Sequence, residues 1–381
     1  MKKLLAVLLA MMLALAALPA LAEDEITVAE IQKYGNLVLS LKGSDLLSQG
    51  YAYGDIVTVT ILGQAFDMPV GSNYSDVDQG SMICRLVIKP DTNEDTIILA
   101  INMGDLATTA GIATKEKIEA DPGYVWHLNE GVSDPVAVSF SMKEQGGYYN
   151  EYIMHQMVRS ENREDYPGLT DAEFANFRAV ATTGMGEGML YRASSPVNPE
   201  INRNRYADQA AEAAGVKTFI NLADNLEVMQ GYEGFADTYY SKQAVIPLNL
   251  GVDFAADDFR AGLAEGIRFI AANEGPFLVH CNEGKDRAGF VSAVLECLMG
   301  ASADEVTADY MVTFYNYYNV QPGTEQYDVV ASSNIRKSLA TAFGIEDISQ
   351  ADLTAEAIEY LMEIGVSAED IAAVCSKLGG H

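Results

Sequence analysis

The chain has 381 residues, enough for two domains with sizeable cores. Its formal net charge of −30 repels nucleic acid and anionic membrane surfaces on average. The four cysteines, Cys84, Cys281, Cys297 and Cys375, are too sparse and irregular for a disulfide framework, and the four histidines lack zinc-ligand spacing, so neither a metal nor a cofactor is expected.

In chain order, Met1-Lys2-Lys3, an apolar run from Leu4 to Leu18 and the small-residue site Ala20-Leu21-Ala22 read as a signal peptide over residues 1–22. Cleavage would remove two lysines and take the charge from −30 to −32. No later stretch is long and apolar enough to span a bilayer, so an exported protein without a transmembrane segment is expected. Residues 23–142 are rich in strand signals. Asp55 to Leu62 is β-branched and partly alternating, and Gly63-Gln64 reads as its turn. Ile83–Ile88 and Thr96–Ile101 flank the turn-rich Pro90-Asp91-Thr92-Asn93. A small all-β domain is the expectation. Asp76 and Asp78 alternate like the start of a calcium loop, but Gly80 and Val87 break the pattern, so they read as turn aspartates.

Residues 143–173 are polar and read as a connector, and a second domain is expected over 174–381. There Arg205–Ala214 is a helix candidate ended by Gly215, followed by the buried strand Val216–Leu222. Ala244–Leu248 is a further strand, and Asp257–Ala272 an amphipathic helix with Phe259, Leu263, Ile267 and Ile270 on one face. Pro276–Val279 leads into a tight loop, and Phe290–Met299 leads out as a helix. Ser302 and Glu305 cap a helix that runs through Tyr318, and two last helices lie around 355–364 and 368–378. Strands alternating with helices predict an α/β domain whose parallel-sheet core is flanked by helices.

The loop His280-Cys281-Asn282-Glu283-Gly284-Lys285-Asp286-Arg287-Ala288-Gly289 carries the chemistry. A strand–loop–helix order places its backbone N–H groups at a helix N-terminus, where an anion is favoured. Cys281 there is biased to thiolate by the helix dipole, Lys285 and Arg287. Arg287 offers a planar fork for two phosphate oxygens. A nucleotide-binding Walker loop is excluded, because Asp286 follows Gly284-Lys285 and Val279 stands where its first glycine would be.

The pattern resembles the Cys-x5-Arg signature of the protein tyrosine phosphatase superfamily. More narrowly, His280-Cys281-x-x-Gly284-Lys285-Asp286-Arg287 looks like the loop of secreted bacterial tyrosine/phosphoinositide phosphatases. Asn176-Phe177-Arg178 and Leu190-Tyr191-Arg192-Ala193-Ser194-Ser195 match the segments that open those domains, with Ala179 where the family has Asp. Asn221 and Ala223 replace a family Asp and Arg, which puts that ion pair in doubt, and Asp309-Tyr310 falls in a further family segment. The likeness covers roughly Phe174 to the end.

The resemblance implies Cys281 as nucleophile through a phosphocysteine intermediate and Arg287 as stabiliser of the phosphoryl oxygens. It implies His280 as the residue that orders the loop and favours the thiolate. Asn282, Glu283, Gly284, Lys285, Ala288 and Gly289 would line the substrate phosphate. Two candidates stand for the general acid: Asp286 inside the loop, and Asp253 upstream, where other superfamily members keep a mobile acid loop. Asp257 and Asp258 fit helix first-turn acids better. Ala288 occupies a position where the family has Ser or Thr, whose hydroxyl stabilises the departing thiolate. Residues Gly54–Val57, Asn73–Val77 and Ile101–Gly104 weakly resemble the C-terminal β-barrel of S-adenosylmethionine hydroxide adenosyltransferases, which implies a barrel and no more. The expectation is an exported hydrolase of phosphotyrosine, with dual specificity toward phosphoinositides considered. A soluble inositol polyphosphate phosphatase, or a phospho-binding adhesion protein with a vestigial site, are the alternatives. No partner for the β domain can be named.

Overall fold

The computed structural model describes residues 25–119 and 121–379, so the expected signal peptide lies outside the described residues. The chain divides into two compact units after Met157. No helix among the described residues is long and apolar enough to cross a membrane.

The first unit carries nine strands: β1 (Val28–Ile31), β2 (Leu37–Leu39), β3 (Ile56–Ile61), β4 (Gln64–Gly71), β5 (Met82–Lys89), β6 (Glu94–Ile101), β7 (Ala113–Lys117), β8 (Tyr124–Leu128) and β9 (Val138–Glu144). Seven form one sheet in the order β1-β2-β6-β5-β4-β3-β9, and β7 pairs with β8. The pairing is antiparallel except for β4 with β5, so this sheet is mixed. In β3, Val57, Val59 and Ile61 are buried and Ile56, Thr58 and Thr60 are less so, the period of two expected of a strand with one face on a core. Its hairpin turns at Leu62-Gly63, one residue earlier than expected. Both residues have positive φ, as a two-residue turn of this hand requires, and Gln64 already belongs to β4.

The unit is sheet-rich rather than all-β. It also holds helices at Gly43–Ser48, Leu106–Thr109 and Tyr149–His155. The second is started by Asp105, whose carboxylate accepts the Thr108 N–H. The third shows that 143–173 is not one connector. Asp55 accepts the Gly146 N–H at 2.7 Å, and Gln156 donates to the buried Asp76 at 2.9 Å. Those bonds hold the segment up to Met157 on the first unit, and Val158 onward belongs to the second. The other Asp76 oxygen takes the Asn73 N–H and the Ser72 hydroxyl, a turn-stabilising role.

The second unit is built on β10 (Arg178–Ala179), β11 (Leu190–Ala193), β12 (Thr218–Asn221), β13 (Ala244–Pro247) and β14 (Phe277–His280). Their order is β10-β11-β14-β12-β13. The last four run parallel to their neighbours, and two-residue β10 is antiparallel at the edge. β14, last in sequence, is thus central, and all its residues are buried. A strand covered on both faces reads as an unbroken apolar run, as Phe277-Leu278-Val279 does. The helix that follows begins at Asp286, not at Phe290, and continues to Met299. Arg287, Ala288 and Gly289 therefore lie on its first turn, and every residue from Ala288 to Leu298 is buried.

Phe290 locks this helix in place. Its ring stacks on Phe254 at 4.4 Å and meets Phe259 edge-on at 5.7 Å. Phe290→Ala should lower the stability of the second unit by about 3–5 kcal/mol, read as an earlier urea unfolding midpoint.

Candidate active site

Cys281 follows directly on β14 and is 3 % exposed. The next four residues turn their carbonyls away from the space above it, each to a protein donor. Ser195 N–H donates to the Asn282 carbonyl at 3.0 Å. Tyr317 OH and the Asn176 side chain donate to Glu283 at 2.8 and 3.1 Å. Asn176 and Arg192 Nη2 donate to Gly284 at 3.3 and 2.9 Å, and Arg192 Nη2 also reaches Lys285 at 3.3 Å. A peptide group whose carbonyl is held outward presents its N–H inward. Among the described residues, the N–H groups of Asn282 to Arg287 have no protein acceptor. They form an anion-binding nest continuous with a helix N-terminus.

This path admits only glycine at two positions. Gly284 has φ +70°, and a Cβ there would stand 2.3 Å from the Ala193 carbonyl oxygen. A Cβ on Gly289 would stand 2.6 Å from the Tyr310 ring and 2.8 Å from Arg192 Nη2.

The donors behind the loop are themselves fixed. Arg192 is fully buried and pairs through Nη1 with Asp309 at 2.7 Å. Arg178 grips the other Asp309 oxygen at 2.9 Å and donates to the Asn176 side-chain oxygen at 2.8 Å. Burial alone would raise the Asp309 carboxyl, but Arg178 and Arg192 outweigh it and hold it below its ordinary value. Asn176, Arg178, Arg192 and Asp309 lie in the motifs noted in the sequence, yet nothing there assigned them this job.

The loop's cations differ in how they are matched. Lys285 Nζ lies 3.0 Å from Glu283 and 3.8 Å from Asp286. Burial opposes its charge, but Asp286, Tyr318 and Glu283 raise its pKa and keep it protonated. Glu283 also meets Arg159 at 2.6 Å, a partner that the sequence did not suggest. Arg287 makes no ion pair among the described residues. Its Nη1 donates to the Leu250 and Leu222 carbonyls at 2.9 and 3.4 Å.

The sequence profile described as a tyrosine phosphatase family matches residues 174–378. The chain belongs to the tyrosine phosphatase family. No curated protein matches it. Among solved structures it is similar to an uncharacterized conserved protein from Thermotoga maritima, at 19 % identity over 33 % of this chain, with a TM-score of 0.22. The chain spans 40 % of that protein's length. It is also similar to the core catalytic domain of the PP-IP phosphatase SIW14 from S. cerevisiae in complex with citrate. There the identity is 18 %, the coverage 44 % of this chain and 91 % of that one, and the TM-score 0.27.

The remaining candidate side chains lie around the loop. His280 is fully buried, and its pKa is pushed down to about 4, by burial first and by Arg287 in addition, against the pull of Asp224. It is neutral at pH 7, so it cannot favour a thiolate by charge. Its Nε2 lies 3.1 Å from Tyr240 OH, whose oxygen accepts from Asn221 at 3.1 Å. Tyr240 OH also donates to Met229 Sδ at 3.5 Å, and His280 Nδ1 has no hydrogen-bond partner among the described residues. Asn221, which replaces a family Asp, is bonded to Asp224 at 3.0 Å, so a carboxylate still ends this chain. Tyr240 and Asp224 gave no signal in the sequence.

Asp286 is the first residue of the helix, partly open to solvent but crowded by protein. That burial raises its pKa above the usual aspartate value, with Glu283 adding to it and Lys285 and Arg287 opposing. A carboxyl that keeps its proton to higher pH suits a general acid. Asp253 is exposed and accepts the Ala255 N–H at 3.1 Å, a turn role. Its neighbour Phe254 is pinned on Phe290, and no hydrogen bond or ion pair among the described residues joins Asp253 to 280–289. Ala288 is fully buried. Ser292, one helical turn on, holds a buried hydroxyl without a hydrogen-bond partner. Cys84 and Cys297 are buried, and burial pushes their thiols up to about 12, so neither is a candidate nucleophile.

Lysine at 192 could keep the Asp309 pair but not the fork to two carbonyls. Arg192→Lys should lower kcat/KM for para-nitrophenyl phosphate by about 100-fold, the scale of a misplaced reacting group. The far-UV circular dichroism spectrum should not change.

Proposed function

We propose that this chain is an exported cysteine-dependent phosphatase that hydrolyses phosphate monoesters, phosphotyrosine first. One observation carries the reading: a cysteine stands beneath a nest of backbone N–H groups without a protein acceptor, beside an arginine without an ion pair, both among the described residues. Export rests on the N-terminal sequence. Phosphoinositides and soluble inositol polyphosphates are the alternative substrates, suggested in the sequence by Lys285, a second cation in the loop.

The phosphoryl group sits in the nest with its oxygens on the N–H groups and on Arg287, which swings from the Leu222 and Leu250 carbonyls. The Cys281 thiolate attacks phosphorus in line. An S–P bond forms, the ester P–O bond breaks, and the leaving oxygen takes the proton from Asp286. Water then attacks the cysteinyl-phosphate. The Asp286 carboxylate accepts a proton from that water, the S–P bond breaks, and inorganic phosphate leaves with the thiolate restored. The alternative acid is Asp253. A vestigial, phosphate-binding site is the competing reading, and Ala288 motivates it.

Purified protein should hydrolyse para-nitrophenyl phosphate and a phosphotyrosine peptide, and Cys281→Ser should abolish both. Asp286→Asn should slow phenyl phosphate far more than para-nitrophenyl phosphate, whose leaving group needs less help. If Asp253→Asn shows that selectivity instead, the acid is Asp253.

Ala288 supplies no hydroxyl to the departing thiolate, so the second step should limit turnover. Rapid mixing should show a burst near one equivalent of nitrophenol, then a slower rate. Ala288→Ser should raise the steady rate about tenfold, the worth of one hydrogen bond to a charged group. The absence of a burst, with no gain from Ala288→Ser, would show that Ser292 or water already does this job.

A further inference from the structure

A cavity of about 520 Å³ opens beside the loop, walled by Arg159, Tyr166, Tyr315, Tyr317, Tyr318 and Asn319. It shares its wall with the loop. Tyr317 OH donates to the Glu283 carbonyl, and Tyr318 OH lies 3.4 Å from Lys285 Nζ. The Glu283 carboxylate stands between the two sites, with one oxygen on Arg159 at 2.6 Å and the other on Lys285 at 3.0 Å. Arg159 has a second carboxylate as well, Glu161 at 2.8 Å. Of the three cations here only Arg287 is unmatched by a carboxylate among the described residues. The site therefore offers positive charge for one phosphoryl group.

A second phosphate next to the first would find no free cation. It would have to break the Glu283 pairs and then remain beside the released carboxylate, where like charges at close range repel strongly. An uncharged neighbouring group meets no such barrier. Resting on the phosphatase reading above, we propose that Glu283 is a specificity-determining residue. It restricts the site to substrates that carry no second phosphate beside the first. Lys285, which suggests polyphosphorylated inositols in the sequence, is committed to Glu283.

The test compares kcat/KM for a phosphotyrosine peptide with that for the same peptide carrying a second phosphotyrosine in the adjacent position. The unsubstituted protein should prefer the singly phosphorylated peptide by about tenfold or more, the scale of one close like-charge contact. Glu283→Gln releases Arg159 and Lys285, and should narrow that ratio at least several-fold. Arg159→Gln lies outside the loop and leaves Glu283 matched by Lys285 alone, so it should widen the ratio. The opposite signs keep the test decisive even if one variant folds poorly. Equal use of both peptides by the unsubstituted protein, or a ratio that neither substitution moves, would overturn this inference and leave the phosphatase reading standing. Hydrolysis of neither peptide would overturn both.

Discussion

The phosphate loop has its shape because four successive carbonyls are bonded from behind. Arg192 is the centre of that arrangement. It is fully buried, and a buried guanidinium is costly unless its donors are used. Here Nη1 meets Asp309 and Nη2 meets the Gly284 and Lys285 carbonyls. Asn176, Tyr317 and the Ser195 N–H take the rest. Each bond fixes a peptide plane, and each fixed plane aims an N–H group at the space over Cys281. The glycines follow from the same constraint, since Gly289 must leave room for Arg192 itself and Gly284 for the end of β11.

The electrostatics beneath the loop reinforce this geometry. Glu296, on the helix that follows it, is fully buried, and burial with the nearby Asp309 charge pushes its carboxyl well above the ordinary range. Its neighbours Arg178 and Arg192 share the carboxylate of Asp309, so two guanidinium groups and one ion-paired acid lie under the loop. A net charge of −30 is no obstacle to the proposed phosphate site, because the field there is short-ranged and partly dry, where charges act more strongly than across solvent.

Much of the second unit could be read from neighbours in sequence, because the signals are local. The Ser302–Glu305 capping box works through contacts three residues apart. The apolar face of Asp257–Ala272 repeats with the helical turn, and Phe277-Leu278-Val279 declares a strand covered on both sides. The strand–loop–helix order around Cys281, Gly284 and Arg287 was likewise legible, since one short stretch supplies all three. Local signals failed at edges. The turn at Leu62-Gly63 and the helix start at Asp286 each depend on where hydrogen bonding begins, which composition does not mark.

What the sequence by itself determined is therefore the kind of elements and the chemistry of one loop. Tertiary structure alone decided the rest. It placed β14 between β11 and β12, and so brought Arg192 to Asp309 across 117 positions and Tyr240 to His280 across 40. It set Arg159 against Glu283 and left Arg287 without an ion pair among the described residues. It divided the polar stretch 143–173 between two units. These pairings join residues whose spacing carries no period. Which of many equivalent charges and amides meet is settled only when the strand order and the buried helix fix which side chains share a space.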